Sequence, residues 1–181
     1  VAPFTEYYAP NVGMDPTSLA SLPQAIAALA KGLLDAPSVI SLRDVHAENL
    51  IWLPERPGAA RVGLLDFQDA VLGDPAYDLA SLLFDARRDL SPGLADRMVA
   101  RFAKASGAEP QALATTVAFL SAQRNLRILG IFARLSQTGK PGYLRFVPRV
   151  QAHVAAALET AALAPLAQVL GPVPVLERDH A

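Results

Sequence analysis

Cysteine is absent from these 181 residues, which excludes disulfides, thiolate metal sites and a cysteine nucleophile together and fits a reducing compartment. A charge excess is lacking as well. With 16 Lys and Arg against 17 Asp and Glu, the formal net charge of −1 offers no basic field for a nucleic-acid backbone or an anionic membrane. No apolar run approaches the length of a membrane span, and Val1-Ala2-Pro3-Phe4-Thr5-Glu6 has neither a basic nor an apolar leader segment. The expectation is a cytoplasmic protein with no nucleic-acid or membrane partner. Glycine-rich phosphate loops are also missing before residue 44, where Lys31 is the single lysine. What is abundant is apolar side chain, 52% of the chain, enough for one sizeable core and a single domain over residues 1–181. The sequence starts with Val rather than Met, as a processed or truncated piece of a longer chain would.

The elements follow from periodicity. Leu22, Ile26, Leu29 and Leu33 recur at helical spacing, with Ser21 in the N-cap position and Pro23 in the tolerant first turn. Pro37 breaks that helix, and Val39-Ile40-Ser41-Leu42 is a β-prone run leading to Asp44. Leu50-Ile51-Trp52-Leu53 and Arg61-Val62-Gly63-Leu64-Leu65 flank a turn-rich loop and predict a β-hairpin, with Trp52 expected in the core. Such pairing brings Asn49, before the first strand, next to Asp66, after the second. From Ala76 onward the pattern is helical: 76–88, with Arg87 and Arg88 suiting the C-terminal dipole, then 94–105, 111–135 and 143 to about 163. An irregular tail follows Gly171. The fold class is mostly α with one small β-hairpin.

Phosphoryl transfer to a hydroxyl needs a carboxylate that orients the nucleophile and accepts its proton, and hard oxygen ligands for Mg²⁺ on the phosphates. Asp44 suits the first task, and Asn49 and Asp66 the second. Each alone reads equally well as a turn or strand-end residue. The three together, at the ends of apolar runs, point to chemistry. His46, inside the loop, is either a hydrogen bonder that stabilises it or a substrate contact. Glu48 is either solvent-facing or near substrate hydroxyls.

Leu42-Arg43-Asp44 through Asn49 resembles the catalytic loop of protein-kinase-like phosphotransferases, and Leu65-Asp66-Phe67-Gln68 resembles their metal-binding turn. Asp44-x-His46-x-x-Asn49, Asp66-Phe67-Gln68-Asp69-Ala70 and Tyr77-Asp78-Leu79-Ala80 are together similar to the aminoglycoside phosphotransferase and choline kinase superfamily. Within it, residues 63–70, Gln123-Arg124-Asn125 and the 128–135 stretch resemble anomeric kinases of N-acetylmuramate and N-acetylglucosamine. The resemblance implies a C-terminal lobe of a kinase-like fold, ATP and Mg²⁺ as cofactors, Asp44 as catalytic base, and Asn49 and Asp66 as metal ligands. It further implies Asp78 as a brace hydrogen-bonding the Asp44 loop and Arg43 as a support that pairs with an acidic neighbour. Two departures stand out: Leu42-Arg43 replaces the usual His-Gly, and Gln68 stands where many relatives have Gly or Glu.

On the long helix, Val117, Leu120, Ile128, Ile131, Phe132 and Leu135 define an apolar arc, and Arg124 falls inside it. A guanidinium there must be paired or border a cavity, so Arg124 either braces an acidic residue or binds substrate. Asn125 falls toward the far side of the arc and, within the resembling motif, is a candidate substrate contact. Gln123, Arg127 and Arg134 share a neighbouring face, either a cleft wall with Arg127 on substrate or a solvated basic stripe. His153 has no second ligand at metal spacing.

The kinases of this resemblance also need a glycine-rich loop, a strand lysine and its glutamate partner. Residues 1–43 contain none of these. The sequence therefore predicts an acceptor-binding, metal-holding lobe whose N-terminal nucleotide lobe lies outside this chain. Its substrates would be a nucleotide and a sugar hydroxyl, with an aminoglycoside or other alcohol as the alternative acceptor. A non-catalytic remnant that binds sugar or a partner protein is the alternative outside catalysis.

Overall fold

The computed structural model describes residues 1–174 and 176. A π-helical turn, Phe4–Tyr8, runs into α1 (Ala9–Asn11), and α2 (Leu22–Leu33) follows with Pro at its first turn. Strand β1 (Val39–Ser41) opens the site region, then a 3-10 turn, Ala47–Asn49, leads into β2 (Leu50–Trp52). Strands β3 (Val62–Leu64) and β4 (Val71–Gly73) precede α3 (Ala76–Leu83). The rest is helical: α4 (Leu94–Ser106), α5 (Pro110–Gln137), α6 (Val147–Leu158) and α7 (Ala164–Leu170). No single helix among the described residues is long and apolar enough to cross a membrane.

The predicted hairpin is present, with Leu50 opposite Leu64 and Trp52 opposite Val62. A second antiparallel ladder, which periodicity missed, pairs Val39 with Gly73 and Ser41 with Val71. Three residues are too few to show alternation, and Gly73 is tolerated because a Cβ there would lie 2.8 Å from Ser41 Cβ. The two ladders are nested: β2–β3 sits inside the connection between β1 and β4. Nesting sets the chain segments 42–49 and 65–70 side by side, and Leu65 N–H donates to Asn49 O at 2.9 Å across them.

Helix α5 is the axis of the molecule. Glu109 caps it by accepting from Ala112 N–H at 2.7 Å, and Pro110 fills its first turn. It packs against α6, α3, α4, α2 and the N-terminal turn, so Leu113, Phe119, Leu126, Leu129 and Ala133 are buried as well as Val117, Leu120 and Phe132. Burial on most of its circumference replaces the single arc expected from sequence. The N-terminal turn crosses at Gly130, where a Cβ would lie 2.1 Å from the Pro3 carbonyl carbon. Only a residue without a side chain admits this approach. It seats Phe4 and Tyr8, stacked at 5.5 Å and fully buried, against the core.

Three boundaries differ from expectation. Helix α3 stops at Leu83, because Asp85 turns the chain by accepting from Arg87 N–H at 3.3 Å, a local bond that competes with the helix. The helix expected over 143 to 163 divides into a 3-10 turn at Pro141–Phe146, then α6, then α7 after a break at Glu159. Trp52 is 64% exposed rather than in the core, because the hairpin lies at the edge of the helical body. Ile40, Phe67 and Leu72 are exposed with it, giving both ladders an apolar open side. Beyond Gly171 the described residues are irregular, and the remainder of the predicted tail lies outside them.

Candidate active site

The segment 42–49 is held from below by a single carboxylate. Asp78, in the first turn of α3, accepts from Leu42 N–H at 2.7 Å, Arg43 N–H at 2.9 Å and Ser41 Oγ at 3.0 Å. Arg43 itself has φ 69° and Asp66 φ 58°, the two non-glycine residues with left-handed backbone among those described. Such conformations are unfavourable for an arginine and persist where surrounding bonds over-determine them. Here Asp78 holds the Arg43 amide, while the Arg43 carbonyl accepts from Arg124 Nη1 at 3.3 Å. The Arg43 guanidinium makes no ion pair among the described residues, so the acidic partner expected for it does not appear.

Asp44 projects into the cleft with 48% of its side chain exposed. Arg124 Nη2 lies 3.7 Å and His46 Nε2 3.6 Å from its Oδ1, while Oδ2 has no partner among the described residues. Arg124 is only 12% exposed, so α5 delivers a nearly buried cation to the site's carboxylate. His46 is buried, and its Nδ1 finds no partner among the described residues. It braces Asp44 from inside the loop and does not line the cleft.

Asn49 donates from Nδ2 to Asp44 O at 2.9 Å, which turns its amide oxygen away from the loop backbone. Asp66 follows β3, exposed, with Oδ1 accepting from Gln68 Nε2 at 2.6 Å. Among the described residues no three His, Asp or Glu side chains converge on one metal position. Asn49 and Asp66 thus present one amide oxygen and one carboxylate. Mg²⁺ characteristically takes one or two protein oxygens and completes its octahedron with water and phosphate, so the donor set fits that ion.

The cleft beside Asp44 has a volume of about 320 Å³ and is walled by Arg43, Arg87, Arg124 and Arg127 against Asp44 and Asp69. Tyr77, Ile128 and Phe132 supply its apolar surface. Arg127 is thus on the cleft, and Gln123 borders an adjoining depression with it. Arg134 is not; its guanidinium lies over the Tyr7 ring at 5.9 Å. Asn125 is fully buried, donating to Ser121 Oγ at 3.3 Å, and one residue's rotation from Arg124 carries it out of the cleft. Glu48 is solvent-facing and pairs with Arg87 Nε at 2.9 Å. Arg87, expected at a helix end, is a cleft residue, because Asp85 two residues earlier turns the chain. It pairs with buried Asp85 at 3.1 Å as well.

The sequence model of the phosphotransferase enzyme family matches residues 4–114. Three curated relatives, each an N-acetylmuramate/N-acetylglucosamine kinase, are similar over much of the chain. That of Caulobacter vibrioides is 51% identical over 142 residues, covering 76% of this chain. Those of Pseudomonas putida and Neisseria meningitidis serogroup B are 34% and 37% identical over 134 residues, each covering 70% of this chain. The matched part spans 38% to 39% of these relatives' own length.

Proposed function

The chain belongs to the phosphotransferase enzyme family, and from that premise we propose that it is the acceptor-binding lobe of a sugar kinase acting on the anomeric hydroxyl of N-acetylmuramate or N-acetylglucosamine. The observation that carries the reading is Asp44: a half-exposed carboxylate on the cleft, with Oδ1 flanked by Arg124 and His46 and Oδ2 without a partner among the described residues. Oδ2 would accept the proton of the sugar hydroxyl as the sugar oxygen bonds to the terminal phosphorus of ATP and that phosphorus's bond to the departing ADP oxygen breaks. Arg124 and His46 hold the carboxylate plane so that Oδ2 faces the acceptor, and Asp78 holds the loop beneath it. Asn49 and Asp66 would hold Mg²⁺, which when bound neutralises charge on the phosphates. The nucleotide-gripping lobe is contributed by chain outside these 181 residues, in keeping with the partial span of the relatives. The setting is cytoplasmic recycling of cell-wall amino sugars.

The arginine-lined cleft disfavours a polycationic aminoglycoside as acceptor, which would need acidic walls. Calorimetric titration of the chain tests the division of labour. Either sugar should bind, whereas Mg·ATP should not reach micromolar affinity. Micromolar nucleotide binding refutes the separate lobe, and no sugar binding refutes the acceptor site. In the complete two-lobed protein, Asp44→Asn should lower kcat by about 10² to 10⁴; retained turnover removes Asp44 from its role.

A further inference from the structure

Beside the cleft lies a second depression of about 500 Å³, lined by Glu48, Arg87, Lys140, Tyr143, Arg145 and Phe146 among others. Arg87 is common to both, so the two are neighbours across one side chain. Its charge is already answered by Asp85 at 3.1 Å and Glu48 at 2.9 Å. Lys140 and Arg145 are different: both are exposed, and neither has an ion-pair partner among the described residues.

Their positions are built rather than incidental. Helix α5 ends in a left-handed Gly139, φ 87°, and Lys140 N–H returns to Leu135 O at 2.9 Å, a C-terminal cap that fixes where Lys140 leaves the helix. Arg145 lies over the Phe146 ring at 4.6 Å, which restrains its guanidinium while leaving its edge N–H groups open. Phe146 in turn packs on Phe132, a cleft residue, with centroids 5.9 Å apart. One aromatic floor thus runs from the Asp44 cleft to the two cations.

We propose that Lys140 and Arg145 form a carboxylate subsite that selects amino sugars bearing an anionic substituent, such as the lactyl group of N-acetylmuramate, over the neutral N-acetylglucosamine. The inference rests on the acceptor reading above. With the sugar's reactive hydroxyl at Asp44, a carboxylate extending from its ring past Arg87 meets an aromatic-braced guanidinium and an ammonium, the paired chemistry suited to it. Glu48 limits the subsite to one anion by repelling a second beside Arg87.

Calorimetric titration of the chain with N-acetylmuramate, its uncharged methyl ester and N-acetylglucosamine tests this. The wild type should bind the acid on the order of tenfold more tightly than the other two, the scale of one charge-assisted contact. Lys140→Gln with Arg145→Gln should erase that preference while N-acetylglucosamine affinity stays within about twofold. Equal binding of acid and ester, or a preference that survives the double substitution, overturns the subsite alone. A wild-type chain that binds neither sugar overturns the acceptor reading and the subsite with it.

Discussion

Replacing Asp78 by alanine strips one acceptor from three donors at once: Leu42 N–H, Arg43 N–H and Ser41 Oγ. Hydrogen bonds to an ionised carboxylate contribute about 1.5 to 3 kcal/mol each, and a half-buried carboxylate takes the lower end after solvent screening. The serine hydroxyl can turn to water, so the two backbone donors dominate, and the loss is about 2 to 3 kcal/mol. Arg43 makes the loss local, because its left-handed backbone, φ 69°, relaxes once its amide is released. Native-state hydrogen exchange reads this directly. Protection at the Leu42 and Arg43 amides should fall by about 30- to 150-fold, since each 1.4 kcal/mol is a factor of ten. Amides in the middle of α5 should change far less. Asp78→Asn, which keeps one oxygen but turns an NH₂ toward a donor, should fall between wild type and alanine. Undiminished protection at 42 and 43 in the alanine variant would refute the idea that one carboxylate sets this loop.

Gly130→Ala forces a Cβ into the Pro3 carbonyl, 2.1 Å away, and should cost about 2 to 4 kcal/mol, seen as a melting temperature lower by roughly 5 to 15 °C; a change under about 2 °C means that the crossing is looser than described. Burial holds the His153 pKa below its ordinary 6.5, with hydrogen bonding to the Asp85 backbone opposing. The folded protein therefore binds fewer protons than the unfolded chain just below 6.5, so this contribution is complete above that pH and is lost as the pH falls. Urea midpoints between pH 7.5 and 5.5 should decline more steeply for wild type than for His153→Leu, and parallel slopes defeat the argument. Arg124→Lys cannot span both Arg43 O and Asp44, and in the complete two-lobed protein should lower kcat about tenfold or more with little effect on KM. Lys104→Ala, on the exposed face of α4, is the comparison; equal, mild effects count against Arg124.

Much of this arrangement was legible because it is local. A hairpin with Asn49 before one strand and Asp66 after the other needs only two apolar runs and a turn, and the structure joins their ends at Leu65 N–H to Asn49 O. Arg124 was conspicuous as a charge within an apolar arc, and it meets Asp44 and the Arg43 carbonyl. What failed was long-range or competitive. The β1–β4 ladder joins residues some thirty apart through three pairs, too short for any period to register. Asn125, a candidate substrate contact only through the resembling motif, is buried instead, because helices pack around α5 on most sides. Arg87 looked like a helix-end charge until Asp85 ended α3 early and turned it into the cleft.

The nesting of the two ladders also orders events in time. Trp52 and Val62 are ten residues apart along the chain, whereas Val39 and Gly73 are 34 apart, so the inner pair closes at the smaller entropic cost and shortens the loop that the outer pair must close. Pulse-labelled exchange during refolding should show Ile51 and Gly63 amides protected before Ile40 and Leu72. The opposite order would mean that α3, docking early, recruits β4 first. Folding from the inside out assembles Asn49 and Asp66 as a pair before Asp78 captures the loop of Asp44, so the carboxylate proposed as the base is the last of the three to be set in place.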